Sequence, residues 1–307
     1  MAKEKMNSRY DLLTQIGNTP LVEIEQITKN VAPVRVLAKL EWFNPGGSVK
    51  DRAALRMILH GEKTGKLTRK KIIMDATSGN TGIAYAMIGA KKGYQVQLVV
   101  PKNICHERKH MLTAYGAELI FSDPKEGTDG AQRLCVEIYK KTPGRFFYPD
   151  QYNNDENWKA HYEGTGPEIW KQTGGKITHF VAGLGTSGTF MGTGKFLKKK
   201  NPKVRLIAAQ PDAPFHGLEG WKHMPTAIRP GIYDSKLPDE IIEISTEKAH
   251  QMTKRLAREE GLFAGVSAGA AMTASLKLAE KLSSGTIVTI FADGGDRYMN
   301  DKFWTEE

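Results

Sequence analysis

Apolar positions along the chain follow two rhythms. Short, mostly apolar runs at 34–41 (VRVLAKLE), 71–76 (KIIMDA), 95–100 (QVQLVV), 118–121 (ELIF), 178–182 (THFVA), 204–209 (VRLIAA) and 286–291 (TIVTIF) predict strands. Several are continuous rather than alternating, as in strands covered on both faces. Between them, 52–63, 82–92, 107–115, 129–140, 189–198, 246–260 and 268–282 carry a helical pattern. Two of these stop at Gly93 and Gly261, the residue type that most readily takes the left-handed position after a helix. Alternation of this kind predicts an α/β fold of two three-layer lobes with mainly parallel, twisted sheets.

The pattern recurs after a stretch rich in turn formers, 144–157 (GRFFYPDQYNNDEN), where we place the boundary between lobes. The segment 210–237 is irregular and holds Pro211, Pro214, Pro225 and Pro230; a loop of that length inside a compact chain is more often functional than idle.

Composition narrows the class. The 307 residues are 40% hydrophobic and 25% charged, the balance of a soluble globular protein, and a chain of this size buries roughly 75% of its unfolded surface. Cys105 and Cys135 are too few for a disulfide framework or a metal cage, so no metal site is expected. The opening MAKEKMNSRY has no apolar signal core, and no apolar run approaches the roughly 20 residues that span a bilayer. A cytoplasmic enzyme without a membrane partner is therefore expected. The net charge of +10 has two concentrations, 63–71 and 195–203, without a recognisable nucleic-acid motif. They read as solvated lysines at helix ends, with no nucleic-acid partner, and they suit an anionic small substrate.

Candidate chemistry sits in three Gly-rich turns, each after a predicted strand and before a predicted helix, where ligands of open α/β sheets gather. The first, NPGGSVKDR, puts Lys50 at a helix start, where the positive end of the dipole favours a neutral amine. A neutral, desolvated lysine is what Schiff-base chemistry requires. The second, TSGNTG at 77–82, gathers hydroxyls and backbone N–H groups at a helix N-terminus, a site for a carboxylate or phosphate. The third, GLGTSGT at 183–189, matches GxGxxG, yet the following strand ends Gln210-Pro211 rather than in the acid a dinucleotide ribose needs. What remains is a nest of N–H groups and hydroxyls suited to one phosphate monoester. A reactive amine, a carboxylate pocket and a single-phosphate cradle are all satisfied by one cofactor, pyridoxal 5′-phosphate.

These residues also carry a likeness. IGNTPLV (16–22), NPGGSVKDR (44–52), TSGNTGIA (77–84), GTGPEIW (164–170), GLGTSGT (183–189), GVSAGAA (265–271) and DGGDRY (293–298) resemble the cysteine synthase and cystathionine β-synthase family, closest to its B-type group. The resemblance implies the fold-type II, tryptophan synthase β-like arrangement, with a smaller mobile lobe over 44–150 and a larger lobe from 1–43 plus 151–307. It implies that Lys50 forms the internal aldimine and moves the Cα proton, and that Asn80 bonds the cofactor's 3′ oxygen. Gly185, Thr186, Ser187, Gly188 and Thr189 would hold the phosphate, and Ser267 would face the pyridine nitrogen. Thr77, Ser78, Thr81 and Gln151 would grip the substrate carboxylate. Lys222, or less favourably Arg229, would meet a phosphate leaving group.

The activity so implied is β-replacement on O-acetylserine or O-phosphoserine, through an α-aminoacrylate, with sulfide or a sulfur-carrier thiocarboxylate giving cysteine, in a homodimer. A neutral serine opposite the pyridine nitrogen makes the ring a weaker electron sink than a carboxylate would, which suits elimination better than transamination. Rival readings are a serine/threonine dehydratase, a cystathionine β-synthase-type lyase and, more remotely, a nicotinamide-dependent oxidoreductase.

Overall fold

The computed structural model describes residues 11–77 and 79–305, and within them two sheets organise the chain. The elements, in order, are β1 (Leu21–Ile24), β2 (Arg35–Leu40), α1 (Lys50–Lys63), β3 (Ile72–Ala76), α2 (Asn80–Lys92), β4 (Val96–Pro101), α3 (His106–Ala114), β5 (Glu118–Ser122), α4 (Gly127–Lys141) and β6 (Phe146–Phe147). They continue with α5 (Asp155–Ala160), α6 (Gly166–Gln172), β7 (His179–Gly183), α7 (Gly188–Lys200), β8 (Arg205–Pro211), β9 (Glu240–Ile244), α8 (Thr246–Glu260), α9 (Val266–Ala279) and β10 (Thr286–Phe291).

Among the described residues one sheet has the order β1-β2-β10-β7-β8-β9 and the other β5-β4-β3-β6. Every pairing is parallel except β1 with β2. The continuous apolar strands are explained by what lies on each face. In the larger sheet Val36, Ala38, Val181, Ile207 and Ile287 pack toward α8 and α9, with Met252, Leu256 and Met272. Their neighbours Leu37, Phe180, Leu206 and Val288 point the other way, onto Phe190 and Leu197 of α7 and Ile169 of α6. The smaller sheet repeats the device: Ile73 and Leu98 face α1 and α2, while Met74 and Val99 face Cys135 of α4. With a period of two and both faces covered, strand positions are mostly apolar, and the polar residues they do bury, Lys39, Asp75 and Thr289 among them, are exceptions.

The helices follow their patterns. α8 buries Ala249, Met252, Thr253 and Leu256 at helical spacing, is capped by Ser245 onto the Lys248 N–H, and stops at Gly261 with φ 68°. α2 and α9 are buried almost throughout, which accounts for their near absence of charge.

Helix starts differ systematically from expectation. α1, α2, α7 and α9 begin one or two residues earlier than the periodicity suggests, at Lys50, Asn80, Gly188 and Val266. The last residues of each Gly-rich turn already form the first helical turn, so their side chains stand at helix N-termini. β1, β6, β9, α5 and α6 were not expected from the pattern; all but β9 are short for their type. The 144–157 stretch contributes β6 to the smaller sheet and then crosses to α5. A π-helical turn, His161–Thr165, joins α5 to α6.

Candidate active site

The three Gly-rich turns converge on one cleft lined from both sheets. Ser48 bridges to Asp293, and the Val49 N–H donates to Ala292 O at 2.9 Å. These bonds pin the start of α1 to the chain leaving β10, and Lys50 lines the cleft beside Asp293. Burial pushes the Lys50 amine below the usual lysine range, while the Asp293 carboxylate opposes part of that shift. Desolvation, which the sequence alone could not reveal, is the principal cause.

The 183–189 turn is built for close approach. A side chain at Gly183 would strike the Trp221 ring, at Gly185 the Gly220 carbonyl, and at Gly188 the Asn157 amide, each at 1.9 Å. Ser187 has φ 68°, and its buried Oγ has no hydrogen-bond partner. Gly188 then opens α7, whose first N–H groups lack intrahelical acceptors. An unpartnered hydroxyl at a helix N-terminus, in a turn with no room for side chains, fits one phosphate monoester. Asn157 Nδ2 donates to Thr186 Oγ1 at 3.2 Å and to Gln151 O at 2.7 Å, tying this turn to the segment that crosses between sheets. Thr189 lines the same cleft and sits 3.4 Å from His161 Nε2.

Ser267 is buried in the first turn of α9, whose N-cap is Gly265, and faces the cleft. Lys50, the 183–189 turn and Ser267 thus surround a space whose donors fit pyridoxal phosphate.

At the other end, Thr77 Oγ1 accepts from the Gly79 and Gly82 N–H groups at 3.1 and 3.0 Å, shaping the second turn. Thr81 Oγ1 donates to Gln151 Oε1 at 2.8 Å, and Gln151 Nε2 donates to Ala76 O at 2.6 Å. These three residues line the cleft together with Lys50 and Asn80. Ser78, from the same turn, lies outside the described residues. Lys222 lines the cleft as well, paired with Asp129 at 2.6 Å. Arg229 instead lies over the Tyr233 ring, 5.0 Å from its centroid.

Several neighbours escaped the sequence reading. Asn80 Nδ2 donates to Asp293 Oδ2 at 2.6 Å, Arg297 donates to Asn80 Oδ1, and the Tyr298 hydroxyl donates to Asp293 Oδ2 at 2.7 Å. The DGGDRY motif that supplies all three was visible, but nothing local in it says that it folds back onto Asn80. Arg108 of α3 pairs with Glu219 at the cleft and lies 5.1 Å over the Tyr298 ring.

Comparison with known proteins agrees with this geometry. Residues 12–293 match the family model described as pyridoxal-phosphate dependent enzyme. The chain is 48% identical over 306 residues to a cysteine synthase of Aquifex aeolicus, covering 98% of this chain and 94% of that protein. It is 43% identical over 292 residues to cysteine synthase B of Escherichia coli, covering 95% of each. The crystal structure of a cysteine synthase from Entamoeba histolytica superposes with a TM-score of 0.92 at 35% identity, covering 100% of this chain and 94% of that one.

Proposed function

The chain belongs to the pyridoxal-phosphate dependent enzyme family, and from that premise we propose how its residues divide the work of making cysteine from an O-activated serine. Its cofactor is pyridoxal 5′-phosphate, and its reaction is β-replacement that forms cysteine. Bound in the cleft, that cofactor supplies an aldehyde for an amine and a ring that acidifies the substrate Cα–H.

Lys50 would hold the cofactor through its amine and would move the proton at the substrate Cα, a task for which a desolvated amine is suited. Gly185, Thr186, Ser187, Gly188 and Thr189 hold the phosphate. Asn80, its amide oriented by Asp293 and Arg297, addresses the 3′ oxygen. Ser267 offers the pyridine nitrogen a neutral hydroxyl. Thr77, Ser78, Thr81 and Gln151 receive the substrate carboxylate, and Lys222 lies along the wall that the leaving group meets. We assign O-acetylserine as the activated serine and sulfide as the sulfur source, with a carrier thiocarboxylate as the alternative donor. The lobe over 44–150 closes on the substrate against the rest of the chain, in a cytoplasmic homodimer. No helix among the described residues is long and apolar enough to cross a membrane.

The observation that carries this reading is the convergence of Lys50 and the 183–189 turn on one cleft. Purified enzyme should absorb in the visible, respond to O-acetylserine, and release cysteine when sulfide is added. Lys50→Ala should lose steady-state cysteine formation by about 10³-fold or more. Sustained turnover by that variant, or a colourless protein that stays so after incubation with pyridoxal phosphate, would refute the assignment.

A further inference from the structure

The cleft holds two cations besides Lys50, and each already has a carboxylate: Arg108 has Glu219, and Lys222 has Asp129. The second pair is the more informative. Lys222 is 6% exposed, its backbone N–H donates to Leu184 O at 2.7 Å, and its ammonium lies 5.0 Å from the centre of the Tyr152 ring. Asp129 reaches it from the first turn of α4 and, with Lys222, also lines a groove beside the cleft. One Asp129 oxygen takes the ammonium at 2.6 Å and the other accepts the Ile228 N–H at 3.1 Å. The carboxylate is therefore held from two sides and engages the ammonium of Lys222, which lines the cleft.

We infer that Asp129 is a specificity-determining residue that biases the enzyme toward a neutral acyl leaving group and against a phosphate. The inference rests on the reading of the cleft as the site of β-replacement. An acetyl ester asks nothing of Lys222 and is indifferent to the pair. A phosphate monoester carries close to two negative charges near neutral pH, so it must compete with Asp129 for the ammonium while being repelled by the same carboxylate. The Lys222 side chain is 7% exposed and that of Asp129 26%, so water and salt screen that repulsion only in part. Asp129 thus acts by withholding a cation from the substrate, the repulsive half of discrimination.

The experiment compares kcat/KM for O-acetyl-L-serine and O-phospho-L-serine, each with sulfide, in wild type, Asp129→Asn, Lys222→Met and the double variant. Wild type should favour the acetyl ester. Asp129→Asn should move the ratio toward the phosphate ester by about tenfold or more, the gain shrinking as salt is raised. The double variant should lose that gain. Lys222→Met alone, which bares Asp129, should move the ratio further against the phosphate ester, and Asp129→Ala, which should move it toward the phosphate ester, decides the matter if Asp129→Asn does not fold. An unmoved ratio in folded, cofactor-loaded Asp129→Asn overturns the inference, and so does a gain that survives in the double variant. A wild type that makes cysteine from neither ester overturns the catalytic reading and this one together. Turnover of O-acetylserine with ratios that ignore both substitutions overturns this one alone.

Discussion

Asn80 shows how single residues in this cleft are set. A lone asparagine amide can rotate; here Arg297 donates to its oxygen and Asp293 accepts from its nitrogen, so one N–H remains to point at a ligand. Asp293 has a second effect, because its carboxylate raises the basicity of a Lys50 amine that burial lowers. Asp293→Asn removes that support, so the Lys50 pKa should fall further. Capture of pyridoxal phosphate needs the neutral amine, present above that pKa. The acid limb of the capture rate in cofactor-free protein, followed by absorbance against pH, should therefore move to lower pH in Asp293→Asn; an unmoved or raised limb would contradict the coupling. Lys50 and the 183–189 turn were legible in the sequence because amine, glycines and hydroxyls lie within a few residues of one another. Asp293 and Arg297 were not, since they act on Asn80 from 213 and 217 residues away. No local pattern encodes such a meeting.

Among elements, α1 has the most to hold in place, since it carries Lys50. Arg52 anchors it from the first turn. The guanidinium meets Glu41 at 2.7 and 2.9 Å, just past β2, and Glu168 of α6 at 2.6 and 2.8 Å; Lys39 of β2 pairs with Glu168 at 2.7 Å. Glu41 and Lys39 are fully buried. The Arg52 guanidinium is what keeps the Glu41 carboxyl below its ordinary range against the opposing effect of burial. Arg52→Met leaves Glu41 with Lys39 as its remaining cation in a dry site, and removal of a partner from a buried pair typically costs about 3–5 kcal/mol. Urea unfolding near neutral pH should show that loss as a lower midpoint, with cofactor retained less tightly because α1 is no longer tethered on both sides. A variant as stable as wild type would mean the cluster is dispensable. The GTGPEIW and NPGGSVKDR motifs were both noticed in the sequence, but their joining through Arg52 and Glu168 spans 116 residues. The other strands and the longer helices were legible from periodicity, whereas β1 and β6 are too short to show any, β9 (EIIEI) carries charge at two of its five positions, and helix starts were misplaced where a turn and a helix share residues.

At the scale of the whole molecule, the alternation of strands and helices gave the two covered sheets, and the lysine clusters find a plain place in them. Lys198, Lys199 and Lys200 close α7, where the helix dipole favours cations, and Lys198 pairs with Asp239 at 2.9 Å. What the alternation could not show is how the crossing between the sheets is secured, and that has a consequence for stability. Asp75, at the end of β3, is fully buried and accepts from the Tyr85 hydroxyl at 2.9 Å, the Gln151 N–H at 3.2 Å and the Ala76 N–H at 2.8 Å. Burial pushes its carboxyl up from 3.8 to about 7, with Asp150 adding to the rise and the three donors opposing it. A carboxyl whose pKa is higher folded than unfolded binds more protons in the native state between those two values. Its contribution is fully present below pH 3.8 and is lost as pH rises through about 7. Denaturant midpoints measured across that range should show wild type losing stability relative to Asp75→Asn as pH rises, with the difference levelling off above pH 7 or so, because an asparagine has no proton to lose. Parallel pH profiles for the two proteins would show that Asp75 is already ionised at low pH, and that its three donors, rather than its burial, decide its charge.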